Sequence, residues 1–438
     1  MKKNLSVIET ISVASMLFGM FFGAGNLIFP VHMGQLAGSS LLPAFIGFAV
    51  TGVGLPLLGI AAFGITRSDG LRELASRVSD KYAVFFTTLL YLTIGPFFAI
   101  PRCATTSFTI GLEPLLGTSK LWLAAFSLVF FALVLFFSLK PSGILTWIGK
   151  IINPLFLVFI CALIITALLS PMGAVTSVTP DEGYQQGAFF TGFLEGYNTM
   201  DAIASLAFGI VVINVIRGLG VTDSVDVTRS TIRAGIFSCL FMGLIYLGTC
   251  MVGAQSRGLF ETSANGGIAL AQISGHYFGS VGQIFLAVMV TLACLKTSIG
   301  LVTSLCQAFA GMFSGGKHYS RWAVGFVIFS FLVANLGLTS IISYAVPFLM
   351  FIYPLVITLI FLSIFGNLFG HDCTVYVWVT AFTFAAALFD FFNAMGVTAA
   401  AGIGRRILPF FDLGLGWVVP AFIGLVIGLV LRKRHSAQ

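Results

Sequence analysis

The sequence predicts an all-α integral membrane protein with twelve membrane-spanning segments. Three observations predict it. Of the 438 residues, 58% are hydrophobic and only 8% charged, with a mean hydropathy of +1.04; soluble domains carry roughly 25% charged residues. Twelve apolar runs of spanning length follow one another. Sixteen of the 22 lysines and arginines fall in the loops that a cytoplasmic N-terminus would place inside, and four, Lys120, Arg257, Arg405 and Arg406, fall outside. An early miscount of one segment would have scrambled that bias.

The runs lie near 9–33, 41–65, 82–112, 121–140, 145–170, 188–216, 231–254, 281–312, 321–337, 340–365, 375–398 and 410–431. The basic start MKKN precedes a segment that runs on to Pro30 with no small-residue cleavage pattern, so it reads as a retained first helix. Segments three and eight are long enough to require tilt. Residues 66–80 form a polar cytoplasmic connection with room for a short surface helix, and 171–187 form an external loop. Residues 255–280 have weak helical periodicity and read as a plain loop or a helix over an external vestibule. Both termini fall on the cytoplasmic side, with Lys2 and Lys3 at one end and Arg432, Lys433 and Arg434 at the other; Lys140 and Lys150 flank an inner loop.

The net charge of +7 comes from residues spread over loops, which points to topology and away from nucleic acid. The seven cysteines have no metal-like spacing and no disulfide framework. No phosphate loop and no nucleophile–base pair is visible, so an enzyme is not indicated. A channel would need pore-lining rings in a symmetric oligomer, whereas this chain supplies a complete bundle. No obligate protein partner is evident.

Segment one contains MLFGMFFGAGNLIFP, residues 16–30, with Gly19, Gly23 and Gly25 followed by Asn26. Segment six contains GFLEGYNTMDAIASLAFGI, with Glu195, Gly196, Tyr197, Asn198, Thr199, Met200 and Asp201 inside an apolar run. Ionisable groups at membrane depth face a cavity or a partner. Paired interruptions in corresponding halves mark a transporter's binding site. The halves would be segments one to five and six to ten. A half-helix starting near Ala24 would point its positive end at a carboxylate. Freed carbonyls of segment six would accept from an ammonium. The pair suits a zwitterionic amino acid, and Phe21, Phe22, Tyr197 and Met200 would favour an apolar side chain.

These residues resemble a known family. FGAGNLIFP at 22–30, IGPFFAIPR at 94–102, GFLEGYNTMDAIASLAFGI at 192–210 and LACLKTSIGL at 292–301 are similar to the bacterial branched-chain amino acid:cation symporters. The resemblance implies sodium-coupled import of L-leucine, L-isoleucine and L-valine across the bacterial plasma membrane. It implies a leucine-transporter-type fold: a five-plus-five inverted repeat with broken helices one and six, plus two extra helices. Residues 1–170 would be the first repeat, 171–365 the second, and 366–438 the extra helices and basic tail. It also implies a substrate site at Gly23, Ala24, Gly25, Asn26 and Glu195 to Met200, with Na+ held by Gly19, Phe22, the Cys294 carbonyl, Thr297 and Ser298. Leu27 and Ile28 stand where relatives of that wider fold carry an arginine, so no arginine gate is implied there.

Several residues keep two readings. Thr297 and Ser298 would hold a small cation, or bond back to their own helix. Lys296 would pair with Glu195, Asp201 or Asp390, or regulate the cation site. Arg102 would pair with a carboxylate or border the substrate path, or snorkel to an interface. Glu195 and Asp201 would brace unwound backbone, gate, or carry a proton. In a proton-coupled transporter of the same fold, Glu195, Asp201 or Lys296 would titrate. His32 reads as an interfacial residue, and Pro347 and Pro354 as a bend.

Overall fold

The computed structural model describes residues 4–68, 70–139, 144–313 and 317–435; the side chains of residues 144–153, 210, 224 and 433–435 lie outside that description. Lys2, Lys3 and Lys140 therefore fall outside the described residues, as do the side chains of Lys150, Lys433 and Arg434. Among the described residues every regular element is helical.

The first segment is two helices, α1 (Val7–Phe21) and α2 (Ala24–Ala37). Ser6 and Glu9 form a capping box at the start of α1. Pro30 lies inside α2, which runs on to Ala37. α3 (Leu41–Ala49) and α4 (Leu55–Thr66) are joined by a π-helical turn at Val50–Gly54. The polar connection holds α5 (Leu71–Ser76).

The third segment is bent as well as long. α6 (Asp80–Leu92) and α7 (Ala99–Gly111) flank a π turn in which Gly95 leaves helical geometry just before Pro96. Proline restricts the residue before it, which accounts for the kink. A short α8 (Glu113–Leu116) leads to α9 (Lys120–Leu139) and α10 (Ile144–Leu169).

After α11 (Glu182–Gln185) the sixth segment is broken. α12 (Ala188–Glu195) passes into a 3₁₀ turn at Gly196–Thr199, and α13 (Asp201–Gly218) restarts. α14 (Ser224–Ser256) follows, with Asp223 capping its N-terminus. α15 (Gly266–Phe313) kinks at Gly279, whose φ of 59° suits glycine. The weakly periodic 255–280 stretch thus supplies a helical extension of segment eight. α16 (Tyr319–Ala334), α17 (Leu338–Ile364, enclosing Pro347 and Pro354), α18 (Cys373–Ala394), α19 (Thr398–Ile407) and α20 (Val418–His435) complete the chain. The sequence reading did not separate α19.

Seven described runs are long and apolar enough to cross a membrane: Ala24–Thr66, Asp80–Gly111, Lys120–Leu139, Val225–Ser256, Gly266–Phe313, Leu338–Ile364 and Cys373–Ala394. The bent pair within α13 makes an eighth if it counts as one span. The protein is therefore multi-pass. Val7–Phe21, Pro154–Leu169, Tyr319–Ala334 and Val418–Arg432 are apolar but shorter.

The connecting loops gather at two ends. Asp372 meets Arg432 at 4.0 Å, and the Cys373 thiol reaches the Val78 carbonyl. At the other end the Ser39 amide donates to the Val178 carbonyl and the Asp181 amide to the Leu36 carbonyl, while Gly173 abuts Gly258.

Glycines set the closest helix crossings. A Cβ on Gly34 of α2 would strike the Cys250 carbonyl of α14, and one on Gly253 would strike Val31 of α2. A second reciprocal pair joins α3 to α12: Gly47 lies on the Phe189 carbonyl and Gly192 on the Ala44 carbonyl. Small residues allow such backbone approach, and helix association in a membrane relies on it. Gly253→Ala should lower stability by about 1–3 kcal/mol, the usual cost of overpacking. Gly243→Ala, in open space on the same α14, should be neutral or slightly stabilising; thermal melting of the purified protein in detergent checks both.

Candidate functional site

Both helix breaks open towards each other around one cavity of about 50 Å3. Its lining includes Gly23, Ala24, Gly25 and Asn26 from the first break and Thr199, Met200 and Asp201 from the second. Arg102 and Cys103 of α7 and Thr297 of α15 close it. Met20, Phe21, Ile94, Phe208 and Leu301 supply apolar wall.

The first break follows from local chemistry. Phe22 and Gly23 are extended, at φ −71° and −125°. In a continuous helix the Gly23 amide would donate to the Gly19 carbonyl. It donates instead to the Asn26 side-chain oxygen at 2.9 Å, which caps α2. The carbonyls at the end of α1 lose their helical partners, and the first turn of α2 points its free N–H groups at the cavity.

The second break turns on Met200, which adopts φ 62° and ψ 15°. That left-handed conformation is unusual for a bulky residue and marks a site of stored strain. The Asp201 amide donates to the Thr199 hydroxyl at 3.3 Å. The Asp201 carboxylate accepts from the Asn26 amide at 2.6 Å and from the Tyr246 hydroxyl at 3.0 Å. Asn26 also donates to Tyr246. Asn26 thus serves both breaks: its oxygen caps one and its nitrogen holds the carboxylate that opens the other.

Arg102 is buried, with 5% of its surface exposed. Its Nη1 donates to the Asn198 carbonyl at 2.7 Å, and its guanidinium lies over the Phe29 ring at 5.1 Å. It does not snorkel.

The cation residues are partly assembled. Thr297 reaches the first break, with its methyl 3.8 Å from where a Gly23 Cβ would sit. Neither Thr297 nor Ser298 shows a hydrogen bond back to its own helix among the described residues, unlike Thr249, Ser107 and Thr358. Ser298 Oγ is buried beside the Cys103 side chain and meets no hydrogen-bond criterion among the described residues. Cys294 is buried one turn before the pair. Gly19 lies just before the break, and the Phe22 ring turns away to pack against Phe18, Phe156 and Tyr246.

Other sequence candidates stand outside the lining. Gly196 abuts Thr51, and Tyr197 stacks on Tyr353 at 3.9 Å. Glu195 accepts from the Asn198 side chain at 3.0 Å, which braces the 3₁₀ turn. Lys296 forms no ion pair with Glu195, Asp201 or Asp390 among the described residues. His32 bonds to the Ser263 carbonyl at 3.0 Å and fixes an end loop. Tyr246, Ile94 and Leu301 were missed; a tyrosine hydroxyl inside apolar segment seven was the available signal for the first.

The fold and this paired-break cavity are those of a membrane transporter class. The structure shares its fold with Mhp1, a nucleobase-cation-symport-1 family transporter held closed with bromovinylhydantoin bound (TM-score 0.59, 15% identity, 98% of this chain and 92% of that one). It likewise matches a Na+-coupled sialic acid symporter in a substrate-bound outward-open state (TM-score 0.59, 14% identity, 96% and 90% covered). The chain belongs to the branched-chain amino acid transport protein family, whose model matches residues 6–435. It is 49% identical to the branched-chain amino acid permease BrnQ of Lactobacillus delbrueckii subsp. lactis, over 99% of this chain and 100% of that one. It is 41% identical to BrnQ of Bacillus subtilis, with 98% of each chain covered. A branched-chain amino acid transport system 2 carrier protein of Pseudomonas aeruginosa is 37% identical, over 98% and 97%.

Tyr246→Phe should remove one of the two hydrogen bonds to buried Asp201 and cost about 1–3 kcal/mol. The same loss in Asn26→Ala should be larger, because it also uncaps α2. Melting temperatures of the two variants in detergent test this order.

Proposed function

We propose that the protein is a secondary active transporter that imports leucine, isoleucine and valine by symport with Na+ through alternating access. The observation that carries the reading is the pair of broken helices facing one cavity. Family membership and the names of the relatives supply the substrate class. In this reading the substrate carboxylate lies at the first turn of α2, near Ala24 and Gly25, and its ammonium lies at the turn around Thr199 and Met200. The branched side chain rests on Phe21, Ile94, Phe208 and Leu301. Twelve spans as a five-plus-five inverted repeat with two added helices, both termini cytoplasmic in a bacterial plasma membrane, complete the proposal. The loop charges support that orientation.

Na+ would sit between the freed carbonyls at the end of α1, Gly19 and Phe22, and the Cys294 carbonyl, Thr297 and Ser298 of α15. Carbonyl and hydroxyl oxygens replace a cation's hydration shell. The unspent hydroxyls of Thr297 and Ser298 support this assignment. A cation there stitches α1 to α15 and favours the arrangement that receives substrate. Coupling then follows as a binding free energy shared between two sites.

Proton coupling is the second reading, and the buried Asp201 carboxylate on the cavity favours it. Leucine uptake into proteoliposomes, with sodium and pH gradients imposed separately, decides between them. Thr297→Ala combined with Ser298→Ala should raise the Na+ concentration for half-maximal uptake by about tenfold or more, equivalent to about 1.4 kcal/mol. An unchanged sodium dependence would remove this cation site.

A further inference from the structure

We propose that Arg102 and Asp201 together read the two charges of a zwitterionic ligand, the guanidinium taking the carboxylate and the Asp201 carboxylate taking the ammonium. The inference rests on the substrate cavity proposed above. It changes what grips the ligand, from backbone dipoles alone to two full side-chain charges.

Both residues line the same cavity, and both are buried, at 5% and 2% exposure. They carry opposite charges, yet no ion pair joins them among the described residues. Buried charges are expected to be paired, because desolvation is costly. Arg102 instead spends Nη1 on a neutral carbonyl, that of Asn198, and its buried Nε has no hydrogen-bond partner among the described residues. A Cβ on Gly25 would come within 2.9 Å of Nη2. The guanidinium therefore stands against the first turn of α2, where the helix dipole is also positive. Two positive sources meet there, and no carboxylate forms an ion pair with the guanidinium among the described residues.

Asp201 is the mirror case. Asn26 and Tyr246 both donate to Oδ2, and no hydrogen bond reaches Oδ1 among the described residues. The two donors are neutral and fix the carboxylate's orientation without cancelling its charge. Gly25, the glycine beside the guanidinium, and Thr199, which accepts from the Asp201 amide, both line the cavity.

A ligand carrying both charges neutralises both residues at once. One carrying a single charge leaves the other residue buried and uncompensated. The penalty for leaving a buried polar group unmatched is how a site rejects an analogue that lacks one group. Selectivity for an α-amino acid would then arise at Arg102 and Asp201, and selectivity among side chains at the apolar wall.

Equilibrium binding to the full-length protein in detergent tests this with three ligands: L-leucine, 4-methylpentanoate, which lacks the ammonium, and L-leucinamide, which lacks the carboxylate. The wild-type protein should bind leucine at least about a hundredfold more tightly than either single-charge ligand. Asp201→Asn should weaken leucine and leucinamide by about tenfold or more and leave 4-methylpentanoate within about twofold. Arg102→Gln should weaken leucine and 4-methylpentanoate likewise and spare leucinamide. Asp201→Glu and Arg102→Lys, which keep the charges, should keep the wild-type ligand order. Equal weakening of all three ligands, unchanged leucine affinity in both neutral variants, or comparable wild-type affinity for all three overturns the proposal. A folded wild-type protein that binds no leucine overturns the substrate reading itself.

Discussion

One side chain holds the two broken helices in register. Asn26 caps α2 through its oxygen and, through its nitrogen, holds Asp201 at the start of α13 and the Tyr246 hydroxyl of α14. Unwound backbone inside a membrane is tolerated only where its polar groups are satisfied by protein or by a cavity. Neither break satisfies that condition alone. The first has no side chain at Gly23 to cap α2 and borrows one from Asn26, three residues on. The second places a carboxylate at the head of α13 and obtains its donors from Asn26 and Tyr246. Hydrogen bonds to a charged group are worth about 1.5–3 kcal/mol each, and here they join three helices that are far apart in sequence.

The glycine seams are the apolar counterpart of that knot. Gly34 and Gly253 draw α2 and α14 together, and Gly47 and Gly192 draw α3 and α12 together. The first seam fixes α2 relative to Tyr246, so the hydrogen bonds at Asn26 depend on a close backbone crossing. The second places α12 beside α3, with Gly196 against Thr51 at the point where α12 gives way to the 3₁₀ turn. Thr51 donates to the Phe193 carbonyl at 2.7 Å, just before the second break. The breaks are thus anchored on their outer sides and open only towards the cavity.

Much of this was legible in the sequence, for identifiable reasons. Glycines followed by asparagine in segment one, and two carboxylates in segment six, cannot sit in hydrocarbon without cause, so both breaks could be placed to within a few residues. The Thr297–Ser298 pair could be named, but its freedom from the usual bond to its own helix needed coordinates. The kink at Gly95–Pro96 was hidden because the long apolar run reads equally well as tilt. α19 escaped because its apolar face is short and carries Arg405 and Arg406. Partners across space were the least legible. Tyr246 is one tyrosine in a long apolar helix, and nothing in its neighbours shows that it faces Asp201. Lys296 was expected to find a carboxylate, but Asp201 is occupied by neutral donors and Glu195 by Asn198.

That last result bears on how the charges of the site are used. A buried carboxylate held by neutral donors has no counter-charge from them, whereas one locked in an ion pair would already have found it. Asn26 and Tyr246 orient Asp201 without neutralising it, and the Asn198 carbonyl does the same for Arg102. Each charge is held in position by the other break's surroundings: Asp201, in segment six, by Asn26 of segment one; Arg102, lying against Gly25 of segment one, by Asn198 of segment six. A movement that separated the two breaks would therefore loosen both charges together. The placement of the two charges and the relative placement of α2 and α13 are therefore set by the same few hydrogen bonds.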